Sequence, residues 1–259
     1  MFSYCIIMDI NHSWKATCRI LLGDEIGDID DYQDYLLQYV SNGKNVQSSI
    51  SGKDVIVPAN GSYGSAKFIS NDEREKYAAL TGKFELNLDE IKDIDSITDA
   101  LKERIYYSGN VVLGNSKDVG LSNRISNSTS VYRSEGLSDS KHSGYCCMVR
   151  YADHAFGCST GGDCKFSIKA FEVYKTMRCM ETLRVYTSSD CYYSSNLESC
   201  SDCMFSFNQR NSRNMIGNLQ LPPERYAAIK AKLVGDFREN LRAKKKVMSI
   251  VELIGDGNE

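Results

Sequence analysis

Cys200 and Cys203, three residues apart in "SCSDCMFSFNQR" (199–210), are the first residues whose type and spacing could do chemistry. A Cys-x-x-Cys pair is half of a tetrahedral zinc site. The other half would be a second such pair or two histidines at ribbon spacing, and the sequence has neither. Three histidines occur, His12, His142 and His154. His142 and His154 stand twelve residues apart, so a chain coiling with that period would stack them, close enough to share a metal or a proton. Lys244, Lys245 and Lys246 form a basic triplet. Together with Cys200 and Cys203 it defines one alternative function, a zinc-dependent nucleic-acid-binding protein. The glycines and Lys67 of "NGSYGSAKF" (60–68) resemble a phosphate loop, but no Gly-Lys-Ser/Thr follows, and the stretch reads as a turn. The acidic run "GDEIGDIDDYQD" (23–34) lacks the ligand spacing of a calcium loop and reads as the approach to a helix whose start favours acids. These residues assign no catalytic group, no metal and no cofactor.

The bulk properties set the frame. The chain has 259 residues, 42% apolar and 25% charged, with a net charge of -3, which argues against a wholesale polyanion binder such as a nucleic-acid protein. Charge is uneven: residues 1–114 hold 11 Lys/Arg against 18 Asp/Glu, and residues 115–222 hold 12 against 10. No apolar run approaches the roughly 20 residues that span a bilayer, so no membrane partner is expected. The start "MFSYCIIMDINHSWK" lacks the pattern of a secretory signal, which makes an intracellular location the expectation, with incorporation in a virion as one form of it. Ten cysteines in that setting point to thiols or metal before disulfides.

Cut in twelves from Asn115, the chain reads NSKDVGLSNRIS, NSTSVYRSEGLS, DSKHSGYCCMVR, YADHAFGCSTGG, DCKFSIKAFEVY, KTMRCMETLRVY, TSSDCYYSSNLE, SCSDCMFSFNQR, NSRNMIGNLQLP, nine blocks without an insertion. Positions 2, 5 and 8 are small, and position 11 is mostly aliphatic. A helix repeats at 3.6 and a strand at 2, so a 3-and-12 pattern fits neither; a narrow β-solenoid fits both numbers. Its coils would lie about 4.8 Å apart, roughly 40 Å in all. So thin a coil holds only small or single aliphatic side chains. Of the eight cysteines beyond residue 140, seven fall in inward columns and only Cys147 does not, so Cys200 and Cys203 read as two inward columns of one coil.

Inward residues at positions 2, 5, 8 and 11 of a twelve-residue coil resemble the beetle antifreeze β-helix family over residues 115–222. That family bridges cysteines at positions 2 and 8 of one coil, and no block here has both. Its ice-binding face needs Thr-x-Thr at positions 1 to 3, where this chain has Asn-Ser-Lys, Asp-Ser-Lys, Tyr-Ala-Asp and Lys-Thr-Met. The resemblance therefore implies the coil and not ice binding. The stretch "CYYSSNLESCSDCMFSFNQRNSRNMIGNLQL" also looks like uncharacterised cysteine-hexad repeat proteins of phages and environmental bacteria, which brings no activity with it.

The flanks complete the expected fold class, α+β. A mixed α/β domain is expected over 1–108, with strands Phe2 to Met8, Ala16 to Leu22 and Asp54 to Val57 and helices Asp31 to Val40, Asp72 to Leu80 and Ile97 to Ile105. A right-handed solenoid should fill 109–222, and a C-terminal capping helix and tail 223–259. That helix carries Tyr226, Ile229, Leu233, Phe237 and Leu241 at three- or four-residue spacing. Position 6 is the column with functional promise: Tyr132, Phe156, Ile168, Met180, Tyr192, Met204 and Ile216 repeat every twelve residues on the outside of the coil. An apolar stripe of that length must be covered, by the N-terminal domain or by protein subunits, the chain's own copies or an assembly partner. The preferred reading is a non-enzymatic structural or docking protein whose solenoid presents this stripe for assembly, as in a phage or viral particle, with a partner as the favoured cover. An enzyme with a site where the domain meets the solenoid, using the stacked histidines, is the opposing class.

Overall fold

A computed structural model describes residues 2–59, 66–102 and 104–255, without the side chains of 2–7 and 81. Residues 60–65 of the glycine-rich stretch lie outside the described residues. Between residues 112 and 216 the chain winds into a β-solenoid of about nine coils. Neighbouring coils pair in parallel and in twelve-residue register, Lys117 with Thr129, Thr129 with Lys141, Lys141 with Asp153 and Asp153 with Lys165. The same step continues from Ser189 to Ser201 and Arg213.

The period of three has a backbone cause. Asp190, Tyr193, Asn196, Ser199 and Asp202 have φ of 56°, 46°, 53°, 53° and 51°, and left-handed residues recur at this spacing along the solenoid. Each coil is therefore four-sided, turning one corner every third residue. Left-handed backbone is unfavourable for most L-residues and least so for Asn and Asp. Asn127, Asp139, Asp163, Asn208, Asn211 and Asn214 are among the corner residues.

The inward columns are small, as the width demands, and they also hydrogen-bond. Ser128 N donates to Ser116 Oγ (3.1 Å), Ser140 N to Ser128 Oγ (3.1 Å) and Ala152 N to Ser140 Oγ (3.0 Å). On the opposite side Ser134 N donates to Ser122 Oγ (3.0 Å) and Cys146 N to Ser134 Oγ (3.1 Å). The hydroxyls of Ser122, Ser128, Ser134 and Ser140 in turn donate two residues back, as Ser134 does to the Tyr132 carbonyl at 2.9 Å. Inward thiols donate in the same direction, Cys191 Sγ to the Ser189 carbonyl at 3.3 Å. Serine thus accepts a backbone N–H that the corner leaves unpaired, a role that size alone does not disclose. Ser134→Ala should therefore cost about 1–3 kcal/mol, because it orphans the buried Cys146 N–H. Urea unfolding measures it, and a change near zero would show the hydroxyl ladder to be incidental.

The N-terminal segment departs from its expected strands. Phe2–Leu22 is one continuous helix, α1, so the strands expected at Phe2 to Met8 and Ala16 to Leu22 do not form. Its buried side chains Ile10, Trp14, Cys18 and Leu21 recur at three or four residues, the spacing of a helix face. The β-branched and aromatic residues that suggested strands are placed by that packing, which overrides propensity. A 3-10 turn, Ile29–Tyr32, leads into α2, Gln33–Leu37. The strands β1 (Gly43–Gln47) and β2 (Asp54–Pro58) form an antiparallel hairpin. β3 (Lys67–Ser70) lies parallel to β4 (Tyr106–Gly109), and between them run α3 (Glu73–Lys76), α4 (Ala78–Thr81) and α5 (Ile94–Lys102). Val55, Val57 and Phe68 make a small separate core there.

The ladder ends in an antiparallel hairpin, Met215 with Gln220 and Ile216 with Leu219. Helix α6, Pro223–Lys244, then starts with Pro223 in its first turn, where a missing N–H costs nothing, and α7, Ile250–Ile254, follows. Along α6, Lys230 reaches Asp202 of the eighth coil (2.9 Å), Phe237 stacks on Tyr193 of the seventh (4.8 Å), and the Leu241 carbonyl meets Tyr32 Oη (3.4 Å). The helix therefore runs back along the flank of the solenoid towards residue 32.

Candidate functional site

The position 6 stripe is the solenoid's contact with the rest of the chain. Phe156, Ile168, Met180 and Met204 are fully buried, and Tyr132 and Tyr192 nearly so. They form one core with Ile10, Trp14, Cys18 and Leu21 of α1, with Ile29, Tyr32 and Leu36, and with Tyr226 and Leu241 of α6; Ile216 packs on its edge. Trp14 meets Phe156 edge-on at 5.4 Å, and Tyr192 Oη donates to the Leu21 carbonyl at 3.1 Å. At Gly157, φ is +64° and an added Cβ would lie 2.9 Å from the Leu36 carbonyl, so glycine lets the 29–37 segment seat against the fourth coil. The stripe is covered within the chain by both termini.

Position 7 supplies residues that the sequence reading passed over. Lys169 and Glu181 occupy successive coils and are both completely buried. The Lys169 ammonium donates to the carbonyls of Tyr35 (2.9 Å) and Gln38 (2.8 Å), at the C-terminal end of α2. It also lies over the rings of Tyr35 and Phe171. Glu181 accepts from Tyr35 Oη (2.6 Å), Ser249 Oγ (3.0 Å) and Ile250 N (2.8 Å), at the N-terminal end of α7. A cation at a helix C-terminus and an anion at a helix N-terminus each suit the local dipole. Burial lowers the Lys169 ammonium to about 8, while the charge of Glu181 works against that fall. Burial likewise raises the Glu181 carboxyl to about 7, against the attraction of Lys169 and the hydrogen bond from Tyr35. This node ties the N-terminal and C-terminal segments to adjacent coils. The opposite charges in one column of a repeat were the only sequence signal for it.

The other candidates resolve differently. His142 and His154 do lie next to each other on successive coils, their rings tilted with centroids 4.8 Å apart, and the next ring in the column, Phe166, lies 4.7 Å from His154. His154 Nδ1 lies 2.6 Å from Asp153, while His142 Nδ1 is buried without a hydrogen-bond partner, 4.0 Å from Asp9. Burial, then the neighbouring His154, holds His142 below the ordinary imidazole value. Cys200 and Cys203 point into the coil, donating to the Glu198 carbonyl (3.3 Å) and the Ser201 carbonyl (3.4 Å). Among the described residues no group of three or more His, Cys, Asp or Glu is placed to hold a metal ion. Among the described side chains nine cysteines are free and buried, Cys147 included, which sits beside Val40, Phe171 and Ile250. The lysine triplet divides: Lys245, at φ 58°, turns to Asp31 (3.3 Å), and Lys244 and Lys246 face a cleft. No helix among the described residues is long and apolar enough to cross a membrane.

Apolar side chains are also left exposed outside these cores. From residue 74 to residue 108 no described residue is buried. Helix α5 begins where Asp93 Oδ1 accepts from Ser96 N (2.8 Å), and it aligns Ile94, Ile97 and Leu101 at helical spacing. Ile94 is 76% exposed and the nearby Leu88 88%. No protein-family model matches this chain, and no curated protein matches it.

Proposed function

We propose that this is a non-enzymatic structural protein in which the solenoid is a rigid spine and α5 docks against a second copy of the chain. The observation that carries the reading is the exposed apolar group Leu88, Ile91 and Ile94 at the start of α5, on a molecule whose long stripe is already filled by α1 and α6. Charge favours a second copy. Asp93 and Asp95 stand at the start of α5 and Lys102, paired with Asp99 of its own helix (2.7 Å), at its end, so antiparallel pairing sets opposite charges near each other. Such isologous pairing is also the commonest closed symmetry.

Sedimentation across a range of protein concentrations tests it. The expected mass is twice 29.0 kDa for the natural chain. Ile94→Asp combined with Leu88→Asp should return the mass to that of one chain, with the melting temperature unchanged because both side chains are exposed. A monomer at every concentration, or a dimer that survives both substitutions, would overturn the reading.

A further inference from the structure

The cleft between the end of α6, α7 and the seventh and eighth coils is built like a ligand site. Its volume is about 530 Å³, within the range of small-molecule pockets. One wall is aromatic: Tyr193 stacks on Phe237 (4.8 Å, 15°) and on Phe205 (5.3 Å, 23°). Tyr193 Oη donates to the Met248 carbonyl at 2.6 Å, which holds the link from α6 to α7 across the opening. Met248 is 61% and Leu253 53% exposed at the mouth, so apolar side chains, one of them an adaptable methionine, stand in water there.

The polar groups are sorted by charge. The left-handed Lys245 sends its own ammonium to Asp31, which leaves its neighbours Lys244 and Lys246 lining the cleft, and neither makes an ion pair within 4.0 Å among the described residues. The one acid in the lining, Glu252, is already held by Gln38 Nε2 (2.8 Å) and Ser249 N (2.8 Å). Two cations outside any close ion pair, Lys246 near enough to feel the charge of Glu252, stand beside an apolar wall and are complementary to an anion with an apolar body.

We propose that this cleft binds a small anionic amphiphile, an aromatic or acyl body carrying one carboxylate, phosphate or sulfonate. The α5 face has no part in it, so the two proposals stand or fall separately. The probe is anilinonaphthalene sulfonate, titrated by fluorescence and challenged with dodecanoate or with dodecylamine. The expected result is one saturable site per chain, emptied by dodecanoate and not by dodecylamine. Lys244→Glu with Lys246→Glu should weaken the dye about tenfold at an unchanged melting temperature, as should Leu253→Asp. The absence of saturable binding, equal displacement by both amphiphiles, or an affinity indifferent to the lysines would overturn the proposal. Dye held elsewhere, on α5 for example, would show itself by that indifference.

Discussion

Ile168→Asp should destabilise the isolated chain by about 4–5 kcal/mol or more, and Met204→Asp by a similar amount. Both side chains are fully buried between the solenoid and the helices that cover it. The aspartate would lose the apolar burial and bring a carboxylate with no partner. Denaturant unfolding measures the change, and Ile94→Asp on the exposed helix α5 is the control that should leave stability unaltered. A near-normal melting temperature for Ile168→Asp would mean that α1 and α6 lift away from the stripe readily. The stripe would then be free for a partner after all.

Glu181→Leu should cost about 3–5 kcal/mol, because it leaves three buried donors, Tyr35 Oη, Ser249 Oγ and Ile250 N, without their acceptor. Lys169→Met with Glu181→Leu should cost less than the two single changes together, since the removed charges no longer need each other. The node also fixes a pH dependence. The folded Glu181 carboxyl is raised to about 7 from 4.5, so the stability it confers is complete below about 4.5 and is lost as pH rises to 7. Folded Lys169 is lowered to about 8 from 10.5, so its share is complete above about 10.5 and is lost as pH falls to 8. Each swing amounts to about 3 kcal/mol. The node should therefore contribute least between pH 7 and 8. Unfolding midpoints of the natural chain, compared with the double variant across this range, should differ most at the two extremes. Parallel pH profiles would refute the coupling.

The twelve-residue coil was legible in the sequence because it is a local property repeated nine times. A corner every third residue and an interior only one side chain wide restrict every block in the same way, so Ser, Cys and aliphatic columns line up without knowledge of anything else. The helix from Pro223 was legible for a related reason, since proline and a three-or-four apolar spacing act within a few residues. That His142 and His154 lie next to each other followed directly from the register. Local propensity misled at α1, where Ile10, Trp14, Cys18 and Leu21 form a helix because a stripe more than a hundred residues away gives that face something to cover. Which side of the solenoid is covered, and by what, was settled only in three dimensions. Tyr35, Lys169, Glu181 and Ser249 meet although 214 positions separate Tyr35 from Ser249, and no pattern within a coil encodes that meeting. Periodicity fixes what each residue faces within its own coil; the free energy of burying the outer columns is realised only when distant segments arrive, and that is a property of the whole fold.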